Sequence, residues 1–194
     1  APYMNKRYQI LLGIFALSPL LLSGCGKDSK PTGSTSGSEM ASGSISETEP
    51  SAEPIVFEGT DLEGNTVTSD IFSQSKLTMV NVWATYCNPC LSEMPSLGEL
   101  AADYDAEQFQ IIGIVSDVLE GEDQSSVESL VAQTSANYTH LLLNESIYYG
   151  LLTDVSAVPT TFFLDENGIV LDTVIGAMEK SAWEAKINGL LEGL

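Results

Sequence analysis

Trp83-Ala84-Thr85-Tyr86-Cys87-Asn88-Pro89-Cys90 is the stretch around which the chain is organised. An apolar run from Leu77 to Val82 leads into it and reads as a buried strand. Residues 91–104 follow and read as a helix. The Cys-x-x-Cys pair is therefore expected where a strand ends and a helix begins. A helix N-terminus offers free backbone N–H groups and the positive end of the macrodipole, and both favour an anion. The anion here is the thiolate of Cys87. Thiolates are the attacking species, and such a setting can pull a cysteine pKa from about 8.5 into the range of about 3.5 to 7.5. Cys90, one turn further on, is close enough to attack the Cys87 sulfur in turn. Pro89 stiffens the loop, and its missing N–H costs nothing at a helix start.

The chain has 194 residues, 27 acidic and seven basic. This length predicts one main domain. Residues 1–25 read as a targeting segment. Lys6 and Arg7 are its basic part, and residues 10–22 are an apolar stretch interrupted by Ser18-Pro19. That stretch is shorter than the roughly 20 residues a spanning helix needs. It ends in Leu22-Ser23-Gly24-Cys25, which resembles the lipobox of a bacterial lipoprotein signal. The resemblance implies cleavage before Cys25 and a lipid on it. The plainer alternative is a secretory signal with Cys25 incidental. Under the lipobox reading, three cysteines leave one pair, Cys87 and Cys90.

Loss of residues 1–25 would leave five basic against 27 acidic side chains, a charge of about −22, with no arginine. Such a surface argues against nucleic acid and against electrostatic attachment to anionic lipid. The lipid on Cys25 would hold the chain to the membrane. The acidity itself is read as serving solubility.

Residues 26–53 are rich in Gly, Ser, Thr and Glu and almost free of apolar side chains. They read as a flexible tether with a reach of roughly 25–30 Å. A folded domain is expected over residues 54–194. Ile55-Val56-Phe57 and Thr66-Val67-Thr68 predict two short strands, with Gly64-Asn65 at the bend. Pro95 lies inside the helix after the cysteines and should kink it. Residues 108–116 predict a second buried strand, 124–133 a helix, 138–143 a strand and 146–152 a short helix. A β-hairpin is expected from strands 161–164 and 169–176 around Glu166-Asn167-Gly168. Residues 181–191 close the chain as an amphipathic helix with Trp183, Ile187, Leu190 and Leu191 inward. The order predicts an α/β fold, a mixed central sheet with helices on both faces.

Trp83-Ala84-x-x-Cys87-x-Pro89-Cys90, followed about 70 residues later by Val158-Pro159-Thr160, resembles the thioredoxin superfamily. More narrowly, residues 54–194 resemble the membrane-tethered TlpA/ResA-like thiol–disulfide oxidoreductases. That resemblance implies a thioredoxin fold with an added N-terminal hairpin and an inserted strand–helix section. It makes Cys87 the exposed nucleophile, Cys90 the buried resolving thiol, and Pro159 a cis-proline that turns the Val158 backbone toward them. Where thioredoxin has a buried aspartate, this chain has Asn81, as is common in the TlpA/ResA-like group. An amide is no general base. Glu93, three residues after Cys90, is a candidate proton acceptor by helical position, and a solvated first-turn glutamate is the plainer reading. Trp83 is read as packing first and as a substrate-facing surface second, with Tyr86 also flanking the site. His140, the only histidine, reads as structural, and with one Cys pair it makes no zinc set.

The resemblance further implies a reductant outside the cytoplasm, on the outer face of a bacterial cell membrane. It needs no cofactor beyond the redox-active Cys87–Cys90 pair. A membrane donor of the CcdA type would recharge it. Apocytochrome c, an exported methionine sulfoxide reductase or another exported protein would be its oxidised target. An oxidant that inserts disulfides is the second reading, since direction rests on the reduction potential. A surface binding lipoprotein with a structural Cys pair is the third. A peroxide-reducing role is weaker, because peroxidatic cysteines of that related family lack an adjacent partner.

Overall fold

The structure, a computed structural model, describes residues 53–194. The expected targeting segment with Cys25, and nearly all of the expected tether, lie outside the described residues.

The first ladder is a small antiparallel hairpin of β1 (Glu58–Thr60) and β2 (Thr66–Thr68). Its first strand starts three residues later than the apolar triplet Ile55-Val56-Phe57 predicted. The triplet does other work. The Ile55 N–H donates to the Gly168 carbonyl at 2.9 Å, and the Phe57 ring is buried edge-on to Phe72, centroids 5.7 Å apart. The Asp61 carboxylate ties the bend by accepting from the N–H groups of Glu63 and Asn65, and Gly64 takes φ 85° there.

A five-stranded sheet follows, in the order β5-β4-β3-β6-β7. Its strands are β3 (Leu77–Trp83), β4 (Phe109–Leu119), β5 (Thr139–Leu143), β6 (Thr160–Asp165) and β7 (Val170–Ile175). The pairs β3–β4 and β4–β5 are parallel, while β3–β6 and β6–β7 are antiparallel. β3 is central and every residue in it is buried. That explains its near-continuous apolar run.

Both faces are covered. Leu77, Met79 and Trp83 of β3 pack toward α1 (Asn88–Asp103), α2 (Ser125–Thr134) and α4 (Lys180–Leu191). Val80 and Val82 face the other way. There they meet Phe72 of the 3-10 turn Ser69–Gln74, Ile147 of the one-turn α3 (Glu145–Ile147) and Leu151 and Leu152 of a π-helical turn, Tyr148–Leu152. The period-two alternation of a strand thus feeds two separate cores. This is the thioredoxin architecture with an N-terminal hairpin that the sequence predicted. The helix 146–152 resolves into α3 and the π turn. α1 begins at Asn88 rather than at Leu91, and Pro95 is carried inside it.

Candidate active site

β3 ends at Trp83 and delivers the chain to the start of α1, where Cys87 is the N-cap residue. The Cys87 N–H donates to the Ala84 carbonyl at 3.0 Å, closing a tight turn. The Cys90 N–H donates to Cys87 Sγ at 3.2 Å. The first sulfur therefore sits in the cap position, where a helix start offers free N–H groups. Cys87 and Cys90 are joined as a disulfide with Cα atoms 5.3 Å apart. Cys87 is 5% exposed and Cys90 fully covered. The expected order of accessibility is kept, but Cys87 is far more covered than an exposed nucleophile. Val158 packs on the cluster that holds both sulfurs and accounts for part of that cover.

The Val158–Pro159 bond is cis, and the Val158 carbonyl oxygen lies 3.6 Å from Cys87 Sγ. The fold thus closes a gap of 71 residues. The Pro159 carbonyl accepts from the Gly176 N–H at 2.8 Å, which ties this corner to the end of β7.

Asn81 and Glu93 form one buried network. Asn81 lies opposite Thr161 across β3–β6, and its Nδ2 donates to Thr161 Oγ1 at 3.0 Å and to Glu93 Oε1 at 3.1 Å. Glu93 Oε2 accepts from the Met178 N–H at 3.1 Å and from Trp183 Nε1 at 3.3 Å. Glu93 is 4% exposed. The solvated reading of this residue is therefore corrected. α1 turns position 93 toward the sheet and α4, where three donors await it. Burial pushes its carboxyl above the usual range, and the hydrogen bonds from Met178, Asn81 and Trp183 oppose that rise. Asn81 Oδ1 is buried with no partner. Cys90 and Glu93 are both buried on α1 at a spacing of three, so they share a face.

Trp83 is fully buried, which removes the substrate-facing part of its expected role. Its Nε1 donates to His140 Nδ1 at 3.2 Å. His140 Nε2 lies 2.9 Å from the Ala136 carbonyl. The two contacts select the neutral tautomer with its proton on Nε2. Burial holds the His140 pKa down at about 4. Tyr86 is the outward aromatic of the site, at 75% exposure. Pro89 occupies the first turn of α1 and is exposed.

Sequence reasoning missed Asp117. Its carboxylate accepts from both the backbone N–H and the hydroxyl of Thr85, pinning the loop before Cys87 to β4. The only signal was an acid closing an apolar strand, and that does not reveal what lies beside it. Among the described residues, no three His, Cys, Asp or Glu side chains are grouped to hold a metal. Nor is any described helix long and apolar enough to cross a membrane.

A thioredoxin sheet that sets a Cys-x-x-Cys pair at a helix N-terminus, against an X–cis-Pro bond, defines a thiol–disulfide oxidoreductase. Comparison with known proteins agrees. Residues 52–173 match the AhpC/TSA family, and the chain belongs to that family. It is 30% identical to the thiol-disulfide oxidoreductase ResA of Bacillus cereus over 133 residues, 68% of this chain and 73% of the relative. It is 28% identical to the thioredoxin-like protein YneN of Bacillus subtilis over 116 residues, 60% of this chain and 66% of the relative. A thiol:disulfide interchange protein of the thioredoxin family from Chlorobium tepidum superposes with a TM-score of 0.60 at 21% identity, over 71% of this chain and 94% of that one.

Proposed function

We propose that this protein reduces disulfides in exported proteins, with Cys87 as nucleophile and Cys90 as resolving thiol. The observation that carries the reading is the capped sulfur. Cys87 Sγ takes the Cys90 N–H at 3.2 Å and faces the Val158 carbonyl at 3.6 Å. In the reduced protein the same N–H and the helix dipole favour the Cys87 thiolate. That thiolate attacks one sulfur of a substrate disulfide. The substrate S–S bond breaks, its other sulfur leaves and takes a proton, and a mixed disulfide forms. Cys90 then loses its proton and attacks Cys87 Sγ, and the second substrate sulfur leaves as a thiol. The substrate gains two electrons and two protons, and the pair is oxidised to the disulfide.

Glu93 is the group on this chain suited to take the Cys90 proton. Burial raises its pKa above the ordinary carboxyl range, which makes it a better proton acceptor than a solvated glutamate. Asn81 orients it. The Val158 backbone offers an extended substrate a hydrogen-bonding edge beside the sulfur under attack. No cofactor beyond the pair is required.

The workplace is the outer face of a bacterial membrane, with the chain held by a lipid on Cys25. A membrane donor of the CcdA type would return the electrons, and oxidised apocytochrome c or an exported methionine sulfoxide reductase fits as target. The similarity to ResA supports this setting. Insulin reduction driven by dithiothreitol tests the reading. Turnover well above background that vanishes in Cys87→Ser is expected. Background-level turnover with an accessible pair would remove it. The reduction potential of the pair separates a reductant from an oxidant.

A further inference from the structure

Among the described residues, two buried side-chain atoms lack a hydrogen-bond partner, Asn81 Oδ1 and the Tyr138 hydroxyl. Buried polar groups are nearly always paired, so each calls for an explanation. The amide oxygen can only accept, and the hydroxyl has a proton to donate. The two are complementary.

The fold brings both to the face of the sheet that α1 covers. Asn81 of β3 stands opposite Gly113 of β4, and Gly113 stands opposite His140 of β5. Gly113 has no side chain, and the His140 ring lies in the space its Cβ would take. Tyr138, two residues before His140, stacks on that ring with centroids 4.4 Å apart and planes 34° apart. It packs against two cores at once, the one with Trp83 and Cys90 and the one with Met79, Leu97 and Trp183. Tyr138 therefore leans inward from the sheet edge across β4. The residue as a whole is half-buried, while its hydroxyl is buried.

Charge links this hydroxyl to the active-site acid. Burial pushes the Tyr138 pKa up, and the negative charge of Glu93 pushes it further. The hydroxyl thus stays protonated and able to donate. Asn81 is already held on its other side, where Nδ2 donates to Glu93 Oε1 and Thr161 Oγ1. Whatever holds Asn81 Oδ1 fixes the amide that orients Glu93.

We propose that one buried water joins the Tyr138 hydroxyl to Asn81 Oδ1, which makes Tyr138 a positioning residue for Glu93 in the resolving step. The hydroxyl donates to the water, and the water donates to Asn81 Oδ1. Buried waters settle where polar groups are otherwise unmet. The amide is then locked with its N–H groups toward Glu93 and Thr161. The proposal rests on the exchange reading above and adds a residue to its proton-accepting network.

Tyr138→Phe keeps the ring and removes the hydroxyl. Loss of a lone buried hydroxyl would leave the protein as stable or more so, and loss of a bonded one weakens it. The unfolding equilibrium constant from urea titration should rise about fivefold. In an Asn81→Ala background the same substitution should have no such cost. Should Asn81→Ala fail to fold, the sign of the Tyr138→Phe effect decides alone.

The second readout is kinetic. Reduced protein is mixed with hydroxyethyl disulfide and quenched in acid at successive times. The adduct on Cys87 decays as Cys90 attacks it and mercaptoethanol leaves as a thiol. In Tyr138→Phe the adduct should live about fivefold longer at pH 7. Its decay should also require higher pH, because the Asn81 hydrogen bond lowers the Glu93 pKa and is now loosened. Cys90 and His140 are the other buried titratable groups here, and His140, with a pKa of about 4, is neutral throughout. A Tyr138→Phe protein no less stable than wild type overturns the proposal. So does an unchanged adduct lifetime, or an equal cost in the Asn81→Ala background. Failure of the wild type to form any adduct defeats the exchange reading and the positioning role with it, while the urea cycle still judges the link between Tyr138 and Asn81.

Discussion

Trp83 Nε1 donates to His140 Nδ1 at 3.2 Å, deep in the core that carries the cysteine pair. The bond needs a neutral imidazole, because only an unprotonated Nδ1 can accept. The chain turns into the active-site loop immediately after Trp83. The one histidine of the chain therefore supports the floor of the site without touching the sulfurs' chemistry.

Acid should loosen the domain through this residue. His140 has a folded pKa of about 4, below its ordinary 6.5, so the unfolded chain binds the proton more readily. Its contribution to stability is complete above about pH 6.5 and falls as pH drops toward 4. The loss is of the order of 3 kcal/mol. Urea midpoints between pH 7 and pH 4.5 should fall accordingly. In His140→Phe this part of the slope should vanish, while stability at pH 7 drops by about 1–3 kcal/mol because the indole N–H is left unpaired.

Gly113 stands opposite His140 in the β4–β5 ladder. A Cβ there would overlap the His140 ring at Nδ1, the atom that accepts the hydrogen bond from the Trp83 indole N–H. Gly113→Ala should cost about 1–3 kcal/mol in urea unfolding by overpacking. A variant as stable as wild type would show that the imidazole can move aside freely.

Some of this was legible in the sequence and some was not. The apolar run of β3, the hairpin of β6 and β7 and the inward Trp183 and Ile187 follow from local patterns that a fold obeys. The place of Cys87 at a helix start follows from Pro89 and the strand before it. Glu93 was not legible. Its burial depends on Asn81, 12 residues back, and on Trp183, 90 residues on. Ile55-Val56-Phe57 misled for a related reason. An apolar triplet can fill a core as well as join a ladder, and the choice is made by Gly168 and Phe72, far along the chain.

Glu93→Gln should separate the two roles of that carboxyl. The folded pKa is raised, so the wild type loses stability as pH climbs from about 4.5 through the folded value. The glutamine variant lacks that loss, and its stability relative to wild type should rise with pH over the same range. In single-turnover exchange its mixed disulfide should persist about tenfold longer, since the proton acceptor for Cys90 is gone. Unchanged persistence across pH 6 to 8 would leave Glu93 a structural residue.

Asp117→Ala frees Thr85 from two donated hydrogen bonds. The expected cost is about 1–2 kcal/mol in urea unfolding. Slower attack by Cys87 should accompany it, as the loop ahead of the sulfur loses its anchor. Asp117→Asn keeps an acceptor and should recover part of both. Equal behaviour of the two variants and the wild type would mean that the loop is held by its own turn.

The most direct measurement of all is the covalent one. Reduced Cys90→Ala protein is mixed with a disulfide-bonded peptide and its intact mass and peptide map are followed. A one-to-one peptide adduct on Cys87 should accumulate, while the wild type passes through it and returns as the internal disulfide. No adduct on Cys87, or the same adduct yield from Cys87→Ser, would contradict the account.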